Sequence, residues 1–118
     1  MASRRLIIPN YLPPSLNVLM RMHWSKANRL KKECADFVTH YAREQGVEAA
    51  SEVCRVSLLL TMGPRGRRFD DDNAWKVILD ALVKAGLLVD DSPKWARRGD
   101  VWWARGPQRE TVVVLDSL

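Results

Sequence analysis

The sequence predicts a single α+β domain, a mixed β-sheet with two main helices packed on it, in the order strand, helix, strand, helix, strand, strand. Three observations lead to this. Short, nearly continuous apolar runs at residues 6–8, 53–60 and 112–115 alternate with two stretches of three-and-four spacing, the pattern of strands and helices sharing one layered core. The chain has 118 residues, 47% of them apolar, enough for one domain that buries about two thirds of the surface its unfolded form exposes. No linker, internal repeat or low-complexity tract divides it.

Leu6, Ile7 and Ile8, closed by Pro9, form the first strand. Residues 10–22 contain Pro13-Pro14 and the turn formers Ser15 and Asn17, which predicts an extended, ordered loop. From about Ser25 to Gln45, Leu30, Cys34, Phe37, Val38 and Tyr41 recur at helical spacing, and Gly46 terminates the helix. Residues 52–62 read as a buried strand ended by the Gly63-Pro64 turn, and residues 63–69 as a basic loop. A second helix follows. Asp71 or Asp72 caps it, Trp75, Ile78, Leu79, Leu82 and Val83 make its apolar face, and Gly86 closes it. After a turn at residues 90–93, strands are expected at residues 101–104 and 111–115, joined across Gly106-Pro107 and able to pair as a hairpin.

No segment approaches the about 18 apolar residues of a membrane span, and residues 1–5 lead into only three, so a soluble, unsecreted, cytoplasmic protein with no membrane partner is expected. Cys34 and Cys54 lack zinc-ligand spacing and read as buried thiols. With only His23 and His40 available as imidazole bases, carboxylates must carry any chemistry.

The formal charge is +5, from 19 Lys and Arg against 14 Asp and Glu. Six of the acids, Asp70, Asp71, Asp72, Asp80, Asp90 and Asp91, fall within 22 residues, leaving eight against all 19 bases. A basic body suits a polyanion, because Lys and Arg neutralise phosphates and release counterions. A carboxylate focus would repel that polyanion unless a divalent cation neutralised it, and hard oxygen ligands suit Mg²⁺. The combination points to metal-dependent chemistry on phosphodiesters.

Asp70 and Asp72, two apart in an extended segment, can share a face at the mouth of the second helix, and Asp91 can return toward them from its far end. Three convergent carboxylates would hold one or two Mg²⁺ ions, with Mn²⁺ as a substitute. Lys76 lies four residues after Asp72 and four before Asp80, in place to offer an ammonium to a phosphoryl group. Asn73 and Asp80 can support the ligands from behind. An EF-hand is excluded, since Ala74 and Trp75 stand where calcium ligation and the glycine turn belong.

The segment Arg67-Arg68-Phe69-Asp70-Asp71-Asp72-Asn73-Ala74-Trp75-Lys76, continued by Leu79-Asp80-Ala81-Leu82, Gly86 and Asp90-Asp91, resembles the RusA family of Holliday junction resolvases. Pro14-Ser15, Asn17 and His23-Trp24 extend the likeness toward the N-terminus. The resemblance implies a homodimeric, Mg²⁺-dependent endodeoxyribonuclease that makes paired nicks in four-way DNA junctions during recombination and repair, often in phage or prophage settings. It implies metal ligation by Asp70, Asp72 and Asp91, with Asp90 counted beside them as support for Asp91, and a catalytic Lys76. A two-fold dimer matches the symmetry of such a junction.

Arg65, Arg67 and Arg68 precede the carboxylates on a flexible loop and are expected to follow a phosphate backbone, with Lys31, Lys32, Arg97 and Arg98 as further DNA-binding candidates. Trp95, Trp102 and Trp103 interleave with Arg97, Arg98 and Arg105, suited either to stacking on unpaired bases or to a core or dimer surface. Two alternatives stay open. One is a non-catalytic basic DNA-binding or replication accessory protein, in which Asp70, Asp71 and Asp72 cap a helix and Lys76 makes a surface pair. The other is a nuclease for other branched DNA, such as flaps and forks.

Overall fold

Among residues 3–118, those that the computed structural model describes, the elements are β1 (Ser3–Pro9), α1 (Leu16–Met20), α2 (Trp24–Gln45), β2 (Cys54–Met62), α3 (Asp71–Lys84), β3 (Ala96–Arg105) and β4 (Glu110–Ser117). The strands form one mixed sheet in the order β1-β4-β2-β3. Strand β4 runs antiparallel to both β1 and β2, while β3 runs parallel to β2. The expected α+β class is therefore the observed one.

The expected hairpin between the last two strands does not form. Strand β4 passes between β1 and β2, where Thr111, Val113 and Leu115 are buried on the helix-bearing face and Val112 is covered on the other by its lateral neighbours Ile7 and Leu59. Strand β3, with its exposed arginines and Trp102, takes the edge. Its parallel pairing with β2 requires a long crossover, which α3 supplies. The expected loop at residues 10–22 also contains a short helix, α1. Ser15 stands in extended conformation at its N-cap and Leu19 is its buried anchor; one turn is too short to show as sequence periodicity.

All the helices lie on one face of the sheet. There Leu6, Ile8, Val56, Leu58, Leu60, Val113 and Leu115 are fully buried, as are Val38 and Cys34 of α2 and Ile78 and Leu82 of α3. Each such aliphatic side chain contributes about 1.5–3 kcal/mol through burial. Both cysteines are free, and burial pushes the Cys34 thiol up to about 11. Helix α2 ends at Gly46, whose left-handed φ of 68° turns the chain out, with Val47 N–H donating to the Ala42 carbonyl at 2.9 Å.

The opposite face carries no helix. Strand register places Ile7, Val112, Leu59 and Trp102 side by side across it. Gly99 sits beside this band at an irregularity in the β2–β3 register, where a Cβ would run into Ser57 Oγ and the Arg55 stem. At the free edge of β1, Gln45 of α2 accepts from Ile7 N–H at 2.9 Å and donates to the Ile7 carbonyl at 2.6 Å. No helix of the described residues is long and apolar enough to cross a membrane.

Replacing Ile78 by alanine removes a fully buried side chain from the helix–sheet core. Urea unfolding should show a loss of about 2–5 kcal/mol, with the far-ultraviolet spectrum of the native state unchanged.

Candidate active site

The carboxylate segment starts α3. Asp70, not Asp71 or Asp72, is the N-cap: its Oδ1 accepts from Asp72 N–H at 3.0 Å, and its carbonyl accepts from Asn73 N–H at 3.0 Å. Asp71 and Asp72 already belong to the first turn, where their charge favours the helix dipole. The expected extended pairing of Asp70 with Asp72 is thus replaced by a cap, because the segment's exposed amides are satisfied from Asp70 itself.

The three consecutive aspartates are separated by their partners. Asp71 accepts from Trp103 Nε1 at 2.7 Å, and Arg68 approaches it at 3.6 Å. Phe69 meets the Trp103 ring edge to face at 5.0 Å. Asp71 therefore ties the start of α3 to β3. Asp72 is held on both oxygens, Oδ2 by Lys76 Nζ at 3.3 Å and Oδ1 by Arg98 Nη1 at 2.6 Å. Those two cations, Arg98 first, keep its carboxyl below the usual carboxylate range. The row expected along α3 runs one residue further, since Asp80 pairs with Lys84 at 3.1 Å.

Lys76 and Arg98 also line a cleft of about 390 Å³ together with Lys31 of α2, Asp80 and Val77 of α3, Leu16 of α1, and Asp91. The fold thus brings Asp91 to the place where both partners of Asp72 stand. It does so because α3 packs against α1 and α2, and because β3 returns beside β2 after the turn bearing Asp91. Asp90 does not line this cleft; the backbone of Asp91, then the Ser92 side chain, draw its carboxyl below the usual range. It shapes the turn that presents its neighbour.

The expected convergence of Asp70, Asp72 and Asp91 is not observed: among the described residues no three His, Cys, Asp or Glu side chains stand close enough to hold one ion. The reason is local, since Asp70 turns onto its own helix and Asp72 onto Lys76 and Arg98. Only the chemistry of the donors matches a hard divalent cation; their placement does not. All three carboxylates are exposed, all offer oxygen, and Asp72 already draws two positive groups to its oxygens.

The remaining candidates divide. Lys31 faces the cleft, whereas Lys32 pairs with Asp36 one turn along α2 at 3.4 Å. Arg97 lies opposite Arg55 on the helix-free face, so consecutive arginines serve opposite sides of the sheet. Arg65 borders a separate recess with Asn10, Gln108 and Arg109, Arg68 borders another with Phe69, Asp70 and Asp71, and Arg67 is exposed. Arg105 donates to the carbonyls of Gly63, Pro64 and Gly66 at 3.0, 3.0 and 3.1 Å, clamping the basic loop. His23 caps α2, with Nδ1 accepting from Ser25 N–H at 3.2 Å. Sequence spacing does not disclose the Arg98–Asp72 and Trp103–Asp71 bonds, which join residues 26 and 32 positions apart.

No protein-family model matches the sequence, and no curated protein matches it.

Because its folded pKa is depressed, Asp72 adds stability at neutral pH that disappears as pH falls through that pKa. Carbon-13 titration of its carboxyl should show a midpoint below the ordinary carboxylate value, and Arg98→Ala should move it upward.

Proposed function

We propose that this protein is a RusA-like, Mg²⁺-dependent endodeoxyribonuclease acting on branched DNA, with the four-way junction as its substrate. The observation that carries this reading is the cleft in which Lys31, Lys76, Arg98 and Asp91 meet beside Asp72. It combines carboxylates for a divalent cation with cations for a phosphodiester, and the sequence pattern from Arg67 to Asp91 supports the same chemistry.

On this reading Mg²⁺, or Mn²⁺ in its place, would be held by Asp70, Asp72 and Asp91 only once Asp70 leaves its cap, Asp72 its two cations and the three carboxylates draw together; bound there, it would supply charge neutralisation and an acidified water. The chain's own groups do the rest. Lys76, fixed on the exposed stripe of α3, presents its ammonium to charge developing on a phosphoryl or leaving oxygen. Lys31 and Arg98 bind the non-bridging oxygens of the phosphate in the cleft. Arg65, Arg67 and Arg68 engage the flanking backbone, and Arg105 holds their loop in place.

The same reading includes a homodimer, since paired nicks need two sites. The row Ile7, Val112, Leu59 and Trp102 supports it: three of these are 37–51% exposed on a sheet face without helices, an arrangement suited to packing sheet on sheet. A second reading, a metal-independent DNA-binding protein, is favoured by one observation, the engagement of both Asp72 oxygens by side-chain cations.

Purified protein on a synthetic four-way junction separates them. Mg²⁺-dependent paired nicks are expected, with Asp70→Asn and Lys76→Met each slowing cleavage by at least about 100-fold while binding persists. Binding without nicking in Mg²⁺ favours the second reading, and preferential cutting of flaps or forks in competition reassigns the substrate. Light scattering should give twice the mass of one chain, and Trp102→Arg should halve it without lowering helix content.

A further inference from the structure

Three large apolar side chains stand in solvent between residues 18 and 24: Val18 is 47% exposed, Met20 76% and Trp24 71%. They lie in a strongly basic stretch. No Asp or Glu precedes Glu33 in the chain, while residues 18–32 carry Arg21, Lys26, Arg29, Lys31 and Lys32. Lys32 pairs with Asp36, whereas among the described residues the other four make no ion pair.

Trp24 opens α2, and its place on the helix accounts for its exposure. Trp24, Ala27, Lys31, Ala35, Val38 and Ala42 recur at steps of three and four, so they share one stripe. Along that stripe Ala27, Ala35, Val38 and Ala42 pack into the core and Lys31 lines the cleft beside α3. At the first turn a side chain leans back past the start of its helix, and the indole there extends beyond the core. Its neighbour His23 is pinned as the N-cap, with Ser25 N–H donating to Nδ1 at 3.2 Å and the Ser25 hydroxyl 2.8 Å from the same nitrogen. The imidazole centre lies 5.6 Å from that of the indole, the two planes tilted by 32°, within the range of offset ring packing. The two rings form one aromatic ledge open to solvent.

We propose that Trp24 is a stacking platform for an unpaired base of branched DNA, with Arg21, Lys26 and Arg29 drawing the neighbouring phosphates and the exposed Met20 offering further apolar contact. The inference rests on the DNA-binding part of the reading above and deepens it, naming which feature of the DNA is received and where. It uses neither the metal nor the carboxylates.

Charge and ring chemistry select this occupant. A second copy of the chain meeting this surface about a two-fold axis would bring Arg21, Lys26 and Arg29 against themselves, with no acid in the segment to answer them. A phosphodiester chain answers each of them. A paired duplex hides its base faces within the stack, whereas a branch, flap or gap exposes them, and an indole accepts any base because every base has a π-face. The position relative to the cleft fits as well. Trp24 stands seven residues before Lys31 on one stripe, about 10 Å along the helix axis, so a strand stacked there can run toward the cleft that Lys31 lines.

Fluorine NMR of the protein labelled with 5-fluorotryptophan, in EDTA so that no metal enters, tests this. The Trp24 resonance is assigned by its loss in Trp24→Phe. In the wild type it should move on addition of a short oligothymidylate and stay in place with a blunt, fully paired duplex, a readout that needs no variant to bind. Trp24→Ala should bind the oligothymidylate about tenfold more weakly, the scale of one lost base stack, with Trp24→Phe between it and the wild type and duplex affinity unchanged. Arg21→Ala combined with Lys26→Ala should weaken binding to both DNAs and flatten its salt dependence. An unmoved Trp24 resonance at saturating oligothymidylate, equal binding by folded Trp24→Ala, or a resonance that answers to protein concentration or anionic lipid vesicles and not to DNA overturns the inference. Nicking assays in Mg²⁺ keep the two readings apart. A Trp24 response without cleavage leaves the platform standing and removes the nuclease, cleavage with a silent Trp24 does the reverse, and a protein that binds no DNA overturns both.

Discussion

The burial of α3 on two sides governs where the chemistry can stand. Ala74, Trp75, Val77, Ile78, Leu79, Ala81 and Leu82 are all withdrawn from solvent between the sheet and the other helices. What remains is a narrow stripe, and Asp72, Lys76, Asp80 and Lys84 follow it at intervals of four. Rotating the helix to re-aim that stripe would expose Ile78 and Leu82, at a cost of about 1.5–3 kcal/mol for each side chain. The exposed ion pairs along the stripe are too weak to drive such a rotation. Packing therefore decides the direction in which Lys76 points, and the electrostatics adapt to it.

Sequence periodicity made α2, α3 and the buried strands legible, because their apolar residues repeat over many turns or run without interruption. Pairing was less legible. The four-residue apolar run of β4 marks a buried strand, yet nothing local states that it enters between β1 and β2 and does not fold back on β3. The charge cluster pointed to Asp70, Asp72 and Asp91 as one group, but only Asp91 lines the cleft with Lys76 and Asp80, and Asp72 touches it through Lys76 and Arg98 alone. Arg98 as the partner of Asp72 and Trp103 as the partner of Asp71 depend on β3 lying beside β2 in parallel, a tertiary fact. The cap at Asp70 was missed by one residue because three adjacent aspartates are chemically equivalent as N-caps.

The arginines show why net charge is a poor map of a binding surface. Arg105 is spent on three loop carbonyls, Arg4 donates to the Glu48 carbonyl at 2.7 Å, and Arg109 reaches the Asn10 carbonyl at 3.4 Å. These guanidiniums hold irregular backbone in place, where no regular ladder supplies donors. Arg97 and Arg98 then divide between the two faces of the sheet. The positive charge facing the cleft is accordingly a small part of the total, and its placement matters more than its amount.

Gln45 has a consequence for how copies of this molecule meet. By occupying the outward amide and carbonyl of Ile7, it removes the middle rung on which a foreign strand would climb onto β1, and Pro9 offers no N–H further along. Edgewise polymerisation is thus discouraged at that border by a side chain from a neighbouring helix. The opposite border, formed by β3, carries no such side-chain cover among the contacts of the described residues, so the two edges of one sheet differ in how open they are to another strand.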